Sequence, residues 1–254
     1  MDELQIIFLA IIQGITEFLP ISSSGHIVLF EYLFGYSNED IVLEVVLHFG
    51  TLGSILIYFK KDIAALIKGI FSKDQESTSY AINVVLATIP VALVVIFFGD
   101  SIKNIFSINI LLYTYIFNAV ILFITKNKKS ENIILPISVV LAMGIAQVCA
   151  LSPGISRAGI TICTGLLLGY NQKAVAKFSF FMAIPALIGA VAFEYQNIIQ
   201  SLSTEYVTIV LGFIFSLFTG LVALKILFKI LENQKMWMFG YYCLLIWIFI
   251  VAVI

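Results

Sequence analysis

Six apolar runs, at residues 41–59, 80–98, 108–125, 174–193, 206–230 and 237–254, leave this chain few folds to choose from. Each approaches the ~20 residues that an α-helix needs to cross the hydrocarbon core of a bilayer. Charge is too sparse to solvate them as surface helices: charged residues make up 11% of the chain and hydrophobic ones 61%, with a mean hydropathy of +1.08. Soluble domains carry roughly 25% charged residues. The chain is therefore expected to be an all-α, multi-pass integral membrane protein with about six transmembrane helices. Nothing in residues 1–254 reads as a linker or a soluble domain, so a single polytopic domain is expected. A net charge of -1 gives no basis for binding nucleic acid. Cys149, Cys163 and Cys243 are odd in number and sit in apolar runs, which indicates neither a disulfide framework nor a zinc site. The acidic start, Met1-Asp2-Glu3, is unlike a signal peptide, so the first apolar segment is expected to be retained.

Two further apolar segments are broken. Residues 4–19 are too short to span, carry Gln13 and Glu17, and stop at Pro20, and a short helix at about 26–34 would return to the same surface. Residues 132–170 are interrupted by Pro136, Gly144, Ser152-Pro153-Gly154, Arg157 and Gly159. Non-helical backbone survives at membrane depth only where protein or a wet cavity surrounds it, so both segments are expected to be re-entrant helical hairpins. Residues 60–73 mix lysines with apolar residues and read as an interfacial helix and a solvated loop.

Lysines set the orientation, because cytoplasmic loops carry the excess of Lys and Arg. If residues 60–73 are cytoplasmic and each run crosses once, then Lys126, Lys128, Lys129, Lys173, Lys177, Lys225, Lys229 and Lys235 fall at that same face. Lys103 falls outside, and Arg157 sits within the membrane. The opposite face collects Asp2, Glu3, Glu39, Asp40, Asp100, Glu194 and Glu205. This requires one hairpin to enter from each side. Two halves, about 1–125 and 126–254, then form an inverted-topology repeat with a site at the midplane.

The polar residues of the broken segments are the candidate chemistry. Gln13 and Glu17 are four apart and share a helix face; a carboxylate at that depth needs a partner, which could be a divalent cation, Arg157 or His26. Ser22, Ser23 and Ser24 precede an apolar helix, where one serine would serve as an N-cap, yet free N–H groups and three hydroxyls there also make a phosphate seat. His26 follows one turn beyond Ser23, either as a hydrogen-bonded core residue or as a proton carrier. Arg157 is the single arginine of the chain, and its planar fork suits phosphate oxygens. Ser156, Gly159 and Thr161 surround it. His48 and Glu44, four apart, are expected to make a structural pair, and Asn83, Thr88, Asn118 and Lys177 to act as helix glue or boundary markers. The small-residue stretch from Gly212 to Gly220 is expected to pack helices, within or between subunits.

Gln13-x-x-x-Glu17-Phe-Leu-Pro-Ile-Ser-Ser-Ser-Gly-His26 and Pro153-Gly-Ile-Ser-Arg-Ala-Gly-Ile-Thr161 resemble the two signature motifs of the undecaprenyl-diphosphate phosphatase family (UppP/BacA), and Leu47-His-Phe-Gly-Thr-Leu52 and Phe178-Ser-Phe-Phe-Met-Ala-Ile-Pro185 resemble it too. The resemblance implies a plasma-membrane hydrolase that converts a polyprenyl diphosphate to the monophosphate, recycles the carrier lipid for cell-wall synthesis and confers bacitracin tolerance. It also implies a divalent cation, Mg2+ or Ca2+, a site open to the outer face, and a homodimer. By position, Gln13 and Glu17 belong to the acidic, metal-binding motif. Glu17, Ser23, His26 and Arg157 form the catalytic set, with Ser22, Ser24, Gly25, Gly154, Ser156, Arg157 and Thr161 around the phosphate. Ala158 stands where the family usually has Ser, which removes one hydroxyl donor. Ser23, His26 or water remain open as nucleophile, with Glu17 or His26 as base. The rival class is a lipid-phosphate transporter or flippase on the same scaffold; a third reading is an inactive structural homologue.

Overall fold

The computed structural model describes residues 3–35, 41–103, 105–128, 131–193 and 206–254. Among them all regular structure is helical and no strand occurs: α1 Glu3–Phe18, α2 Ser23–Phe34, α3 Ile41–Tyr58, α4 Lys60–Phe71, α5 Gln75–Lys103, α6 Ile108–Ile124, α7 Ile137–Cys149, α8 Arg157–Leu167, α9 Gln172–Phe193, α10 Tyr206–Glu232, a 3-10 turn Met236–Met238 and α11 Phe239–Val253. The six apolar runs appear as α3, α5, α6, α9, α10 and α11. Helical stretches at Gln75–Gly99, Gln172–Ala192, Tyr206–Glu232 and Met236–Val253 are long and apolar enough to cross a membrane unaided. The stretch Leu43–Tyr58 reaches that standard together with α4, from which it is bent by 74°, and α6 belongs among the shorter apolar helices. The chain is an all-α, multi-pass membrane protein.

Both hairpins are present. Their helices are short, α1 being the longest at 16 residues, and at about 1.5 Å per residue that falls below a core thickness of roughly 30 Å. In the first, α1 stops before Pro20 and α2 starts at Ser23, earlier than the 26 expected from sequence, because Ser22 caps it. In the second, the chain turns between Cys149 and Arg157. The interfacial segment also forms a helix, α4, none of whose residues is buried. Asp74 follows it, with its Oδ2 accepting the Ser77 N–H at 2.8 Å, and hydrogen bonding at Ser77 holds that exposed carboxyl below its ordinary range.

Helix pairing has the exchange symmetry of a duplicated unit. α10 lies along α1 and α3, while α5 lies along α7 and α9; α6 packs on α11 and α3 on α9. Swapping α1 with α7, α3 with α9, α5 with α10 and α6 with α11 maps these contacts onto one another. The pairings of α1 with α10 and of α7 with α5 each bring backbones close as well: a Cβ on Gly14 of α1 would lie 2.6 Å from the Ser216 carbonyl of α10, and one on Gly144 of α7 would lie 2.5 Å from the Ala87 carbonyl of α5. Helices in lipid gain no hydrophobic drive from meeting, so small residues that let backbones touch carry the packing. The Gly212–Gly220 stretch is used in this way within the chain, Ser216 and Gly220 being buried against α1 and α3.

Several lysines gather at one end. Lys173 pairs with Glu232 at 3.0 Å, Lys177 pairs with Asp62, and Lys126 lies 4.4 Å from the centre of the Trp237 ring. These contacts join α4, the start of α9, the end of α10 and the segment after α6. Lys129, Asp2, Glu39, Asp40, Glu194 and Glu205, which enter the orientation argument, lie outside the described residues, as do the side chains of Asp100 and Lys103.

Candidate active site

Where the hairpins meet, one serine cap serves both. Ser22 Oγ accepts the N–H of Gly25 at 3.2 Å, closing the first turn of α2, and the N–H of Gly154 at 3.1 Å from the tip of the other hairpin. To do so Ser22 adopts φ 67° and ψ 105°, a positive-φ conformation that costs a side-chain-bearing residue about 1–3 kcal/mol. The tips touch backbone to backbone: a Cβ on Gly25 would lie 2.9 Å from Gly154 Cα, and Gly154, at φ +90°, could carry no side chain against Thr114. Fully buried Asn118 ties both turns to α6. Its Nδ2 donates to the Pro20 carbonyl at 3.0 Å, and its Oδ1 accepts the Ser156 N–H at 3.3 Å.

This clamp fixes the first residues of α2 and α8, Ser23 and Arg157, beside a single carboxylate. Glu17 Oε1 receives Arg157 Nη2 at 2.8 Å, while Oε2 receives the Ser23 hydroxyl at 2.8 Å and the Gln13 amide at 3.2 Å. Arg157 Nη1 reaches the Ser179 carbonyl at 3.5 Å. A buried ion pair survives when added hydrogen bonds satisfy its remaining lone pairs and protons, and this one is so supported. A cavity of about 290 Å³ opens beside it, with Ser22, Ser23, Ser24, Ser156, Glu17 and Arg157 on its polar wall and Val91, Ile102, Phe106 and Leu187 among its apolar lining.

Other expected site residues turn elsewhere. His26 does not face Ser23 or Glu17: its Nδ1 lies 2.6 Å from the Ser22 carbonyl and 3.0 Å from Tyr115 Oη, and its Nε2 lies 2.8 Å from Tyr242 Oη. That network assigns the Nδ1–H tautomer, donating to Ser22 and accepting from Tyr242 at Nε2. The ring therefore braces the strained cap. The Thr161 hydroxyl is fully buried, 2.7 Å from the Arg157 carbonyl and 2.7 Å from Ser179 Oγ, so it does not reach the cavity. The N–H groups of Gly25 and Gly154 both donate to Ser22 Oγ, so the two glycines are contact points of the hairpins. Ser156 borders the cavity, but its hydroxyl accepts the Gly159 N–H at 3.0 Å as the cap of α8.

His48 was expected to be structural, and the structure brings it to the site. Its Nδ1 bonds the Glu44 carbonyl at 2.8 Å, not the Glu44 carboxylate, and its Nε2 lies 3.8 Å from Glu17 Oε2 on the cavity wall. Glu44 lines the same cavity. Toward a metal ion the structure offers Glu17, Glu44 and the buried Gln13 Oε1, which has no hydrogen-bond partner. Among the described residues no three His, Cys, Asp or Glu side chains gather into a cluster.

Sequence reading also missed how closely the hairpins correspond. Aligned on Ile21-Ser22-x-x-Gly25 and Ile155-Ser156-x-x-Gly159, Ser23 falls opposite Arg157, Gln13 opposite Gln147, and Glu17 opposite Leu151. Each cap hydroxyl accepts the N–H of the glycine in its motif.

Fold and site together define a multi-pass membrane protein of paired broken hairpins, whose buried acid, hydroxyl and guanidinium share one cavity. The family described as "Bacitracin resistance protein BacA" matches residues 6–249, and the chain belongs to that family. It is 37% identical over 256 residues to a protein named undecaprenyl-diphosphatase from Methanococcus maripaludis (strain C7), covering 99% of each chain. Proteins of the same name from Caldicellulosiruptor bescii and Bacteroides fragilis are 37% identical over 248 residues and 33% identical over 264 residues, covering 95% and 100% of this chain and 94% and 98% of theirs.

Proposed function

We propose that this chain is a membrane phosphatase that hydrolyses undecaprenyl diphosphate, or a polyprenyl diphosphate of similar build, to the monophosphate and inorganic phosphate. One observation carries the reading: Glu17 is held at once by the Ser23 hydroxyl and the Arg157 guanidinium. A hydroxyl within hydrogen-bond reach of a carboxylate is a nucleophile beside its base, and the guanidinium next to it has further N–H groups to present to phosphate oxygens.

Ser23 Oγ attacks the terminal phosphorus, its proton passes to Glu17, and the bond from that phosphorus to the bridging oxygen breaks. Polyprenyl monophosphate leaves. Glu17 passes its proton on to the departing monophosphate and is again a carboxylate. Water then attacks the phosphoserine as Glu17 takes its proton, the bond from phosphorus to Ser23 Oγ breaks, and Glu17 returns that proton to Ser23 Oγ, leaving phosphate and free Ser23. His26, turned toward Tyr115 and Tyr242, acts by holding Ser22 and thus the start of α2. Phosphoryl transfer asks mainly for positioning and charge neutralisation. Arg157 is already matched by Glu17, so a diphosphate brings excess negative charge into the cavity. Glu17 and Gln13 would hold a divalent cation, Mg2+ or Ca2+, together with phosphate oxygens, as such ions are commonly held; when bound it neutralises charge on the phosphate.

The cavity reaches Glu44 near the start of α3, Ile102 at the far end of α5, Phe106 in the connection that follows it, and Leu187 well along α9. These positions lie away from the lysine-bearing end, where α4 and the start of α9 sit. With that end cytoplasmic, the cavity faces the outer side of the plasma membrane. Its apolar residues would take the first isoprene units. Consumption of the diphosphate there removes the lipid that bacitracin sequesters and returns the carrier to cell-wall synthesis.

Purified protein in detergent, given undecaprenyl diphosphate and Mg2+, is expected to release phosphate, and to stop when the cation is chelated. Release of none by the wild type, together with movement of the intact lipid across vesicles, would give the chain to the carrier class. Release that continues in chelator would remove the cation.

A further inference from the structure

Gln147 on α7 is 2% exposed, yet neither its Oε1 nor its Nε2 has a hydrogen-bond partner. It lines the cavity that holds Glu17, Ser23 and Arg157. A buried carboxamide with both ends unpaired is destabilising, and such groups call for an explanation.

The corresponding residue in the first half supplies one. Gln13 occupies the equivalent place on α1, and its Nε2 donates to an anionic oxygen, Glu17 Oε2, at 3.2 Å. The position equivalent to Glu17 is Leu151, in the turn just after α7, whose side chain has no oxygen to offer. One amide of the pair is thus loaded onto the protein's own carboxylate, while the other is left buried and unpaired in the cavity wall.

We infer that Gln147 is a substrate-binding residue, whose Nε2 donates to a non-bridging oxygen of the bound diphosphate. The carbonyl end of the same amide is repelled by that anion and turns to a water. The inference rests on the phosphatase reading for the identity of the anion, although the amide's demand for one does not depend on hydrolysis.

The test compares wild type, Gln147→Leu and Gln147→Glu in detergent with Mg2+. Thermal unfolding is followed with and without methylenediphosphonate, a diphosphate that cannot be hydrolysed, and phosphate release is followed with farnesyl diphosphate. Without ligand, Gln147→Leu is expected to melt at or above the wild-type temperature, because two unpaired polar atoms are gone. Its rise in Tm on adding methylenediphosphonate should shrink, and kcat/KM should fall roughly tenfold to hundredfold, the range for a hydrogen bond to a charged group. Gln147→Glu should fall further, because it sets a second anion against the phosphate. Unchanged kcat/KM and an unchanged ligand-induced rise in both variants would overturn the inference. So would a Gln147→Leu chain that melts lower or fails to fold, since the amide would then be holding the structure. Should the wild type release no phosphate, the phosphatase reading falls alone, and the ligand-induced rise still judges Gln147.

Discussion

The two hairpins use one capping device and present different chemistry from it. In the first, Ser22 caps a helix that begins with Ser23 and faces a carboxylate from α1; in the second, Ser156 caps a helix that begins with Arg157, and Leu151, in the turn after α7, stands in sequence where the first hairpin has Glu17. The frame is duplicated, while the groups on it are unlike, so nucleophile, base and cation arrive from two directions at the same point. A symmetric pair of hydroxyls, or of guanidiniums, could not make the Glu17-centred set. The structure thus separates what the repeat supplies, which is backbone position, from what divergence supplies, which is charge.

The sharpest way to break this comparison is to remove its charged member. Arg157→Ala leaves Glu17 buried without its ion partner, and loss of one partner of a buried pair costs about 3–5 kcal/mol. Phosphate release is expected to drop at least ~10³-fold, on the scale of removing a group that stabilises the transition state. Arg157→Lys should recover little, because a point charge cannot keep Glu17, the Ser179 carbonyl and a phosphate oxygen together. Recovery to within about tenfold with Lys would reduce the second hairpin's part to charge alone.

Ser23 and His26, one turn apart on α2, divide the first hairpin in the same way. Ser23→Ala should abolish the phosphorylated enzyme trapped by rapid quench, together with nearly all turnover. His26→Ala should leave the adduct in place and lower kcat by roughly tenfold, through a loosened Ser22, an effect of the size expected when misplacement and not chemistry is at fault. An adduct found on His26, or none in the wild type, would redraw the mechanism, the second outcome in favour of direct attack by water.

Much of this architecture was readable from composition and spacing. Pro20 and Pro153-Gly154 within apolar sequence marked the two turns, the lysines marked one end, and a serine before an apolar helix marked the cap. The histidines were not readable in that way. Spacing alone sets His26 near Ser23, but Ser22 at positive φ starts α2 early and turns the His26 ring back to the cap and toward Tyr242 of α11. His48 gains its place from the packing of α3 against α1, which no local pattern announces. Gln147 looks in sequence like any polar residue before a turn; that its amide is unpaired is a property of the surrounding helices alone.

Smaller effects separate the two caps. Ser22 Oγ accepts two N–H groups, one from each hairpin, whereas Ser156 Oγ accepts one. Ser22→Ala should therefore destabilise more than Ser156→Ala, by about 2–3 kcal/mol against about 1 kcal/mol, the usual worth of an N-cap. Chemical or thermal unfolding in detergent reads the difference, and equal losses would mean that the Gly154 contact does not join the hairpins. Ser22→Gly sharpens the point, because glycine relieves the positive φ but still drops both acceptors.

Thr161 gives the smallest expected effect. It lies one turn beyond Arg157 on α8, where spacing puts it on the arginine's face, yet its hydroxyl returns to the Arg157 carbonyl and to Ser179. Thr161→Val keeps the shape and removes those bonds, which should cost about 1 kcal/mol of stability. The hydroxyl does not border the cavity, so kcat/KM should change less than about fivefold, that energy being the upper bound on what could reach the site. A fall of a hundredfold at unchanged stability would put Thr161 against the phosphate after all. It would also mean that the second hairpin moves on binding, since the hydroxyl can reach the cavity only if α8 turns away from Ser179.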